Sequence, residues 1–296
     1  MRLLNYYKYL FALSGIILIL GIASLAIFGL EFGIDFKGGT VSEIEFKQNF
    51  DQNKVRETLD AAGIQNYQIQ ATGERGLIIR TNELNKEQHD QINKELNDKV
   101  GAFDEKSLNA IGPVIGQELK KKAIYQLILV SLGIVIYIAY AFRKVTRPIT
   151  PLQFGVAAII ALLHDLLIVI GIFSILGHFF KIEIDSLFVT AMLTVLGFSV
   201  HDTIIVFDRI RENLRLYAGQ KIDFIVNHSI SQTLVRSLNT SLTVLFVLLA
   251  MLLFGGETIR YFVLALFIGV AAGTYSSIFV ASPIILLWQN WRTKRR

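Results

Sequence analysis

Long apolar stretches broken by polar connections set the pattern of this chain, and their lengths predict what they form. The first runs from about Tyr9 to Leu30, and five more are placed at about 123–142, 152–176, 186–207, 237–254 and 260–288. A bilayer core is crossed by about 20 apolar helical residues, so each stretch predicts one membrane-spanning helix. Gly29-Leu-Glu-Phe-Gly33 leads straight on from the first stretch with no small-residue cleavage site, which predicts a retained span rather than a signal peptide.

Between the first two stretches the pattern changes to that of a domain surrounded by water. Thr40-Val-Ser-Glu-Ile-Glu-Phe46 alternates as a strand does, with Ser42, Ile44 and Phe46 on one face. Asp51 to Ala62 predicts a helix capped by Asp51, with Val55, Leu59 and Ala62 on one stripe and Gly63 as its stop. Strands at Tyr67–Gln70 and Leu77–Arg80, a helix at Asn85–Val100 and a last strand at Phe103–Ala110 complete a βαββαβ order, that of a ferredoxin-like split unit. Gly33-Ile-Asp-Phe-Lys-Gly-Gly-Thr40 lacks the spacing of a phosphate loop, so its glycine pair predicts a tight turn where the chain leaves the membrane.

Composition changes the picture little. Hydrophobic residues make up 53% of the 296, too many for a water-soluble globule, and the fold class expected is an α-helical membrane protein of six spans with a ferredoxin-like α+β domain inserted between spans one and two. The absence of cysteine excludes disulfides, thiolate metal sites and a cysteine nucleophile, and no cofactor, metal site or catalytic group is expected. The net charge of +5 does not point to nucleic acid, because the basic residues flank the apolar stretches. Arg143, Lys144 and Arg147 follow span two, Arg209, Arg211, Arg215 and Lys221 follow span four, and Arg292, Lys294, Arg295 and Arg296 follow span six; Arg2 and Lys8 precede span one. The short loops on the other side hold only Lys181 and Arg260, so both termini are expected in the cytoplasm. The resulting division is 1–30 (N-terminus and first span), 31–122 (extracytoplasmic domain) and 123–296 (five spans and a cytoplasmic tail).

Polar residues inside the spans are the candidate chemistry, because a carboxylate in hydrocarbon costs a few kcal/mol or more. Asp165 sits near the middle of span three with Ala158 and Ala161 on its face, where a neighbouring helix can approach closely. Asp202 is placed near the cytoplasmic end of span four, beside a stripe of Thr190, Thr194, Gly197 and His201. In span five, Arg236, Asn239, Thr240 and Thr243 follow helical spacing and form one polar face, which makes Arg236 the expected counter-charge of Asp202. An ion pair of this kind is either a protonation switch or a static register lock. For Asp165 a proton-relay role stands beside a hydrogen-bonded structural one, and for His201 tuning of the carboxylate stands beside packing. Ala265, Gly269, Gly273 and Ser277 recur every four residues in span six, as at a helix contact.

Gly33–Thr40, Leu196-Gly-Phe-Ser-Val-His-Asp-Thr-Ile-Ile-Val-Phe-Asp-Arg-Ile-Arg-Glu-Asn213 and Arg236-Ser-Leu-Asn-Thr-Ser-Leu-Thr243 resemble the motifs of the SecF family, the smaller subunits of the SecD–SecF protein-export complex. The resemblance covers nearly the whole chain. It implies a bacterial inner-membrane relative of the resistance-nodulation-division transporters that pairs with SecD, associates with the SecYEG channel and uses proton flow to draw preproteins across. It also implies that Asp202 and Arg236 belong to a proton path, to which the polar residues read within the spans add Asp165, His201, Asn239 and Thr240 as candidates. His201 departs from the asparagine common in the family. Three other readings stand beside this one: a small-solute antiporter of the same superfamily, an intramembrane aspartyl protease using Asp165 and Asp202, whose usual Gly-x-Gly-Asp is replaced by Ser199-Val-His-Asp202, and a purely structural scaffold in which neither charge matters.

Overall fold

The computed structural model describes residues 7–64, 67–143 and 149–294. Arg2, Lys144, Arg147, Arg295 and Arg296, which entered the orientation argument, lie outside the described residues. The chain divides into two compact units, Phe32–Ile124 and the remainder.

In the first unit the alternating pattern folds as its period dictates. Strands β1 (Gly39–Phe46), β2 (Gln68–Thr72), β3 (Gly76–Thr81) and β4 (Phe103–Ile111) form one sheet in the order β2-β3-β1-β4, with every neighbouring pair antiparallel. This is the split ferredoxin-like arrangement. Thr40, Ser42, Ile44 and Phe46 are buried on one face of β1, and Leu77 and Ile79 of β3 join them. Two helices cover that face, α3 (Gln52–Ala61) through Val55 and Leu59 and α4 (Lys86–Lys99) through Ile92 and Leu96. Both helices start where a short polar side chain satisfies an orphan N–H group: Asp51 accepts from Asn53 N at 2.8 Å, and Asn85 forms a reciprocal capping box with Gln88.

The glycine pair is more than a turn. A four-residue helix, α2 (Ile34–Lys37), ends at Gly38 with φ 81°, and Gly39 follows with φ 142°. A Cβ on Gly38 would stand 2.7 Å from Cα of Pro113, and one on Gly39 would stand 2.6 Å from the carbonyl oxygen of Thr81. Gly116 returns the contact, since its Cβ would meet Gly38 N at 2.9 Å. The two ends of the unit are therefore clasped backbone to backbone, which only glycine permits.

In the second unit the helices are α1 (Tyr7–Phe28), α5 (Pro113–Ala141, which begins in the first unit), α6 (Pro151–Phe180), α7 (Ser186–Leu216), α8 (Ile222–Phe254), α9 (Arg260–Ser276) and α10 (Ser282–Lys294). A π-helical turn, Ser277–Ala281, joins the last two into one span. Among the described residues, six helical segments are long and apolar enough to cross a membrane, so the chain is a multi-pass membrane protein. Three helices run well beyond the spans expected of them. Helix α5 starts at Pro113, before the span placed from 123, α7 continues to Leu216, past the span end placed at 207, and α8 starts at Ile222, before the span placed from 237. The reason for the last two is packing: Ile210 and Leu214 are buried together with Ile225, Val226 and Ile230. Asn213 Nδ2 donates to Ser229 Oγ and to Gln232 Oε1, both at 2.8 Å. A charged sequence thus remains helical because its partner helix does.

Helices α6, α7 and the α9–α10 span fill the centre, and α1, α5 and α8 lie outside with most of their length exposed. Small residues set the spacing. A Cβ on Gly171 of α6 would meet Cα of Gly21 on α1 at 2.5 Å, and Gly269 and Gly273 of α9 lie against Val195 and Ser199 of α7. The four-residue spacing in span six is a helix contact, as expected.

The clasp gives a test. Gly63, with φ 73° and no atom within 4 Å of where a Cβ would stand, carries only the left-handed backbone cost, about 1–2 kcal/mol for alanine. Gly39→Ala is expected to cost at least about 1 kcal/mol more than Gly63→Ala because it also collides with Thr81. Limited proteolysis of the purified protein reads the difference, and equal losses would show that the clasp bears no load.

Candidate functional site: two enclosed acids in the helical bundle

Helix α7 carries the first acid inward. Val195, Leu196, Ser199, Asp202, Thr203, Val206 and Phe207 form its buried face, and Asp202 is 0% exposed near the middle of the helix rather than close to its end. Ser241 Oγ of α8 donates to Asp202 Oδ2 at 3.2 Å, and Thr274 Oγ1 of α9 donates to Ser241 Oγ at 2.7 Å. Asp202 Oδ1 is buried and has no hydrogen-bond partner, and the same is true of the nearby Ser237 Oγ, one turn before Ser241 on α8.

Helix α6 carries the second. Asp165 is buried, and so are its face-mates Ala158 and Ala161. Its Oδ2 accepts from Ser199 Oγ of α7 and from Ser276 Oγ of α9, the latter at 2.8 Å. Its Oδ1 lies 3.0 Å from Nδ1 of the preceding His164, whose Nε2 is buried without a partner. The imidazole stacks on Tyr275, with ring centroids 6.2 Å apart. Gly273 makes this possible, because it lets α9 close onto Ser199 where a Cβ would stand 3.0 Å from Cβ of Ser199. The two acids hold separate sets of hydroxyls and share no hydrogen bond among the described residues, unlike the proton-sharing carboxyl pair of an aspartyl protease.

The other sequence candidates are placed elsewhere. Arg236, Asn239 and Thr240 lie on the exposed face of α8, and His201 lies on the exposed face of α7 with Thr190, Thr194 and Gly197. Arg236 forms no ion pair with Asp202 among the described residues, so the expected counter-charge is not beside the acid. The physical reason is that α8 carries two polar stripes. Ser229, Thr233, Ser237 and Ser241, spaced by four, face the bundle, and the small hydroxyls of Ser229, Thr233 and Ser241 bond back to their own helix. The larger, charged stripe is left on the outside. Sequence reasoning missed Ser199, Ser241, Thr274, Ser276 and His164, although the four-residue serine spacing on α8 was a usable signal.

Comparison with known proteins agrees with this architecture. The family model for the C-terminal part of the protein export membrane protein SecD/SecF matches residues 91–291, and that for the SecD/SecF GG motif matches residues 23–49. The chain is 48% identical to the protein translocase subunit SecF of Thermobaculum terrenum, covering 96% of this chain and 93% of that one. It is 42% identical to the same subunit of Anaerolinea thermophila, covering 96% and 94%. The crystal structure of SecDF, a translocon-associated membrane protein from Thermus thermophilus, superposes on 98% of this chain with a TM-score of 0.85 at 33% identity. A SecDF structure in a super-membrane-facing form superposes with a TM-score of 0.71. This chain spans 39% of the length of those SecDF chains.

Two hydroxyls on one carboxylate oxygen predict a non-additive pair. Ser199→Ala and Ser276→Ala should each destabilise the purified protein by about 0.5–1.5 kcal/mol, the net value of one hydrogen bond whose acceptor keeps a second donor. The double variant should lose more than the sum, because only then is Oδ2 left buried without a donor. Thermal unfolding in detergent measures all three.

Proposed function

Because the chain belongs to the SecD/SecF family of protein-export membrane proteins, we propose that it is an ion-coupled subunit of the protein-translocation machinery, in which Asp202 takes up and releases a proton. The observation that carries this reading is the carboxyl itself, sealed among α7, α8 and α9 with one oxygen held by Ser241 and the other unpartnered. An acid inside a membrane bundle is a functional candidate by default. Its charged and neutral forms make different demands on their surroundings, since a buried charge without a full set of donors costs several kcal/mol. A proton arriving or leaving therefore changes the packing of three helices. A proton crossing a potential of 100 mV releases about 2.3 kcal/mol, which biases a two-state element about fiftyfold. Asp165 is the second acid of the same path.

The exposed polar stripes support a partner within the membrane. Thr190, Thr194 and His201 on α7 and Arg236, Asn239, Thr240 and Thr243 on α8 are exposed along the spans, where lipid would leave a guanidinium and an amide unsatisfied. The spans of SecD would cover them, with Arg236 directed at that subunit rather than at Asp202. On this reading the assembly docks on the SecYEG channel in the bacterial cytoplasmic membrane, both termini face the cytoplasm, and residues 32–124 act on emerging preproteins at the outer face.

Asp202→Asn is expected to abolish the part of preprotein export that depends on the proton gradient, while the chain still co-purifies with SecD. Export with unchanged gradient dependence would sink the proposal, and solute-dependent proton uptake by the purified chain would favour antiport. Thr240→Trp, on the outward stripe, is expected to lower co-purification of SecD at least about tenfold, a loss of about 1.4 kcal/mol, without lowering the amount of the chain in the membrane.

A further inference from the structure

The end of α9 lies between the two acids, and its last three residues with Ser277, the first of the π-helical turn, are four consecutive hydroxyl-bearing residues that reach four different helices. Thr274 donates to Ser241 of α8, and through it reaches Asp202. Tyr275 donates to the carbonyl of Leu10 on α1 at 2.8 Å and receives from Ser14 at 2.9 Å. Ser276 donates to Asp165 of α6, and Ser277 Oγ lies 3.2 Å from Thr203 Oγ1 of α7.

Each of the decisive hydroxyls has one proton and two acceptors. Thr274 is 2.7 Å from Ser241 Oγ and 2.8 Å from the carbonyl of Val270. Ser276 is 2.8 Å from Asp165 Oδ2 and 3.2 Å from the carbonyl of Gly273. Ser241 is 3.2 Å from Asp202 Oδ2 and 2.9 Å from the carbonyl of Ser237. An ionised carboxyl draws the hydroxyl proton outward from its helix, and a protonated one releases it to the helix's own carbonyl. Thr274 and Ser276 are about 200° apart around the helix at about 100° per residue, so they pull the last turn of α9 toward opposite sides. The π-helical turn Ser277–Ala281 follows at once and interrupts the regular ladder there.

Resting on the reading of Asp202 as the proton-carrying acid, we propose that the last turn of α9 is a shared wedge that couples the protonation of Asp165 to that of Asp202, with Thr274 and Ser276 as positioning residues. The other titratable groups at these acids are few among the described residues. Asp165 meets His164 on its own helix, with Tyr275 of α9 against that imidazole and only the hydroxyls of Ser199 and Ser276 from α7 and α9. Asp202 meets the hydroxyl of Ser241 from α8, to which Thr274 of α9 donates in turn, and His201 beside it in sequence is on the exposed face. Coupling of this kind is reciprocal, so a change at either acid must be felt at the other.

The test is an infrared titration of the purified protein in lipid nanodiscs, following the protonated-carboxyl band that Asp202→Asn removes. Asp165→Asn mimics a neutral acid at 165 and is expected to shift the midpoint of the Asp202 band by about one pH unit, a tenfold change in proton affinity. The same substitution in a Thr274→Val background is expected to leave that midpoint unmoved, and Thr274→Ser, which keeps the hydroxyl, should restore the shift. Ser276→Ala provides the second background, should the first variant fail to fold. An equal shift with and without the hydroxyl would mean that the acids interact directly through the bundle, and no shift in the native background would mean that they are independent; either result overturns the wedge. The titration needs no export, so loss of coupling beside a normal export defect of Asp202→Asn refutes the wedge alone, and intact coupling beside unaffected export refutes the proton-carrying role alone.

Discussion

Everything in the helical bundle is arranged around two carboxyl groups held in an apolar interior by hydroxyls and one imidazole, with no guanidinium or ammonium against either among the described residues. A lysine or arginine partner would make a buried carboxylate a fixed structural ion pair. Serine and threonine make weaker, redirectable bonds, because each can return its proton to its own helix.

Hydroxyls are short, so they reach the acids only if the helices approach closely. That requirement explains the glycines of α9. Gly269 and Gly273 allow α9 to lie against Val195 and Ser199, and Gly171 and Gly21 do the same for α6 and α1. The exposed helices α1, α5 and α8 then enclose little on their outer sides. Polar side chains are left outward on α7 and α8, and the SecDF chains on which this chain superposes are longer, since it spans 39% of their length.

The unit of residues 32–124 obeys a different constraint. Its sheet and helices follow from period-two and period-3.6 patterns, but its ends are fixed by the contact of Gly38 and Gly39 with Thr81 and Pro113. The GG motif of the family occupies this segment.

The number of spans, the βαββαβ order, the helix cap at Asp51 and the family motifs were all legible in the chain, because each rests on local periodicity or on neighbours a few residues apart. Asp165 and Asp202 were equally legible as candidates, since an acid within an apolar stretch stands out without any fold. Which side of α8 faces inward was not. Both its stripes have helical spacing, and the sequence makes Arg236 the more conspicuous, yet Ser237 and Ser241 are the residues enclosed. Only tertiary packing decides that question, because the choice depends on how closely Gly273 lets α9 approach and on what volume remains beside Asp202, and neither quantity is encoded within one helix.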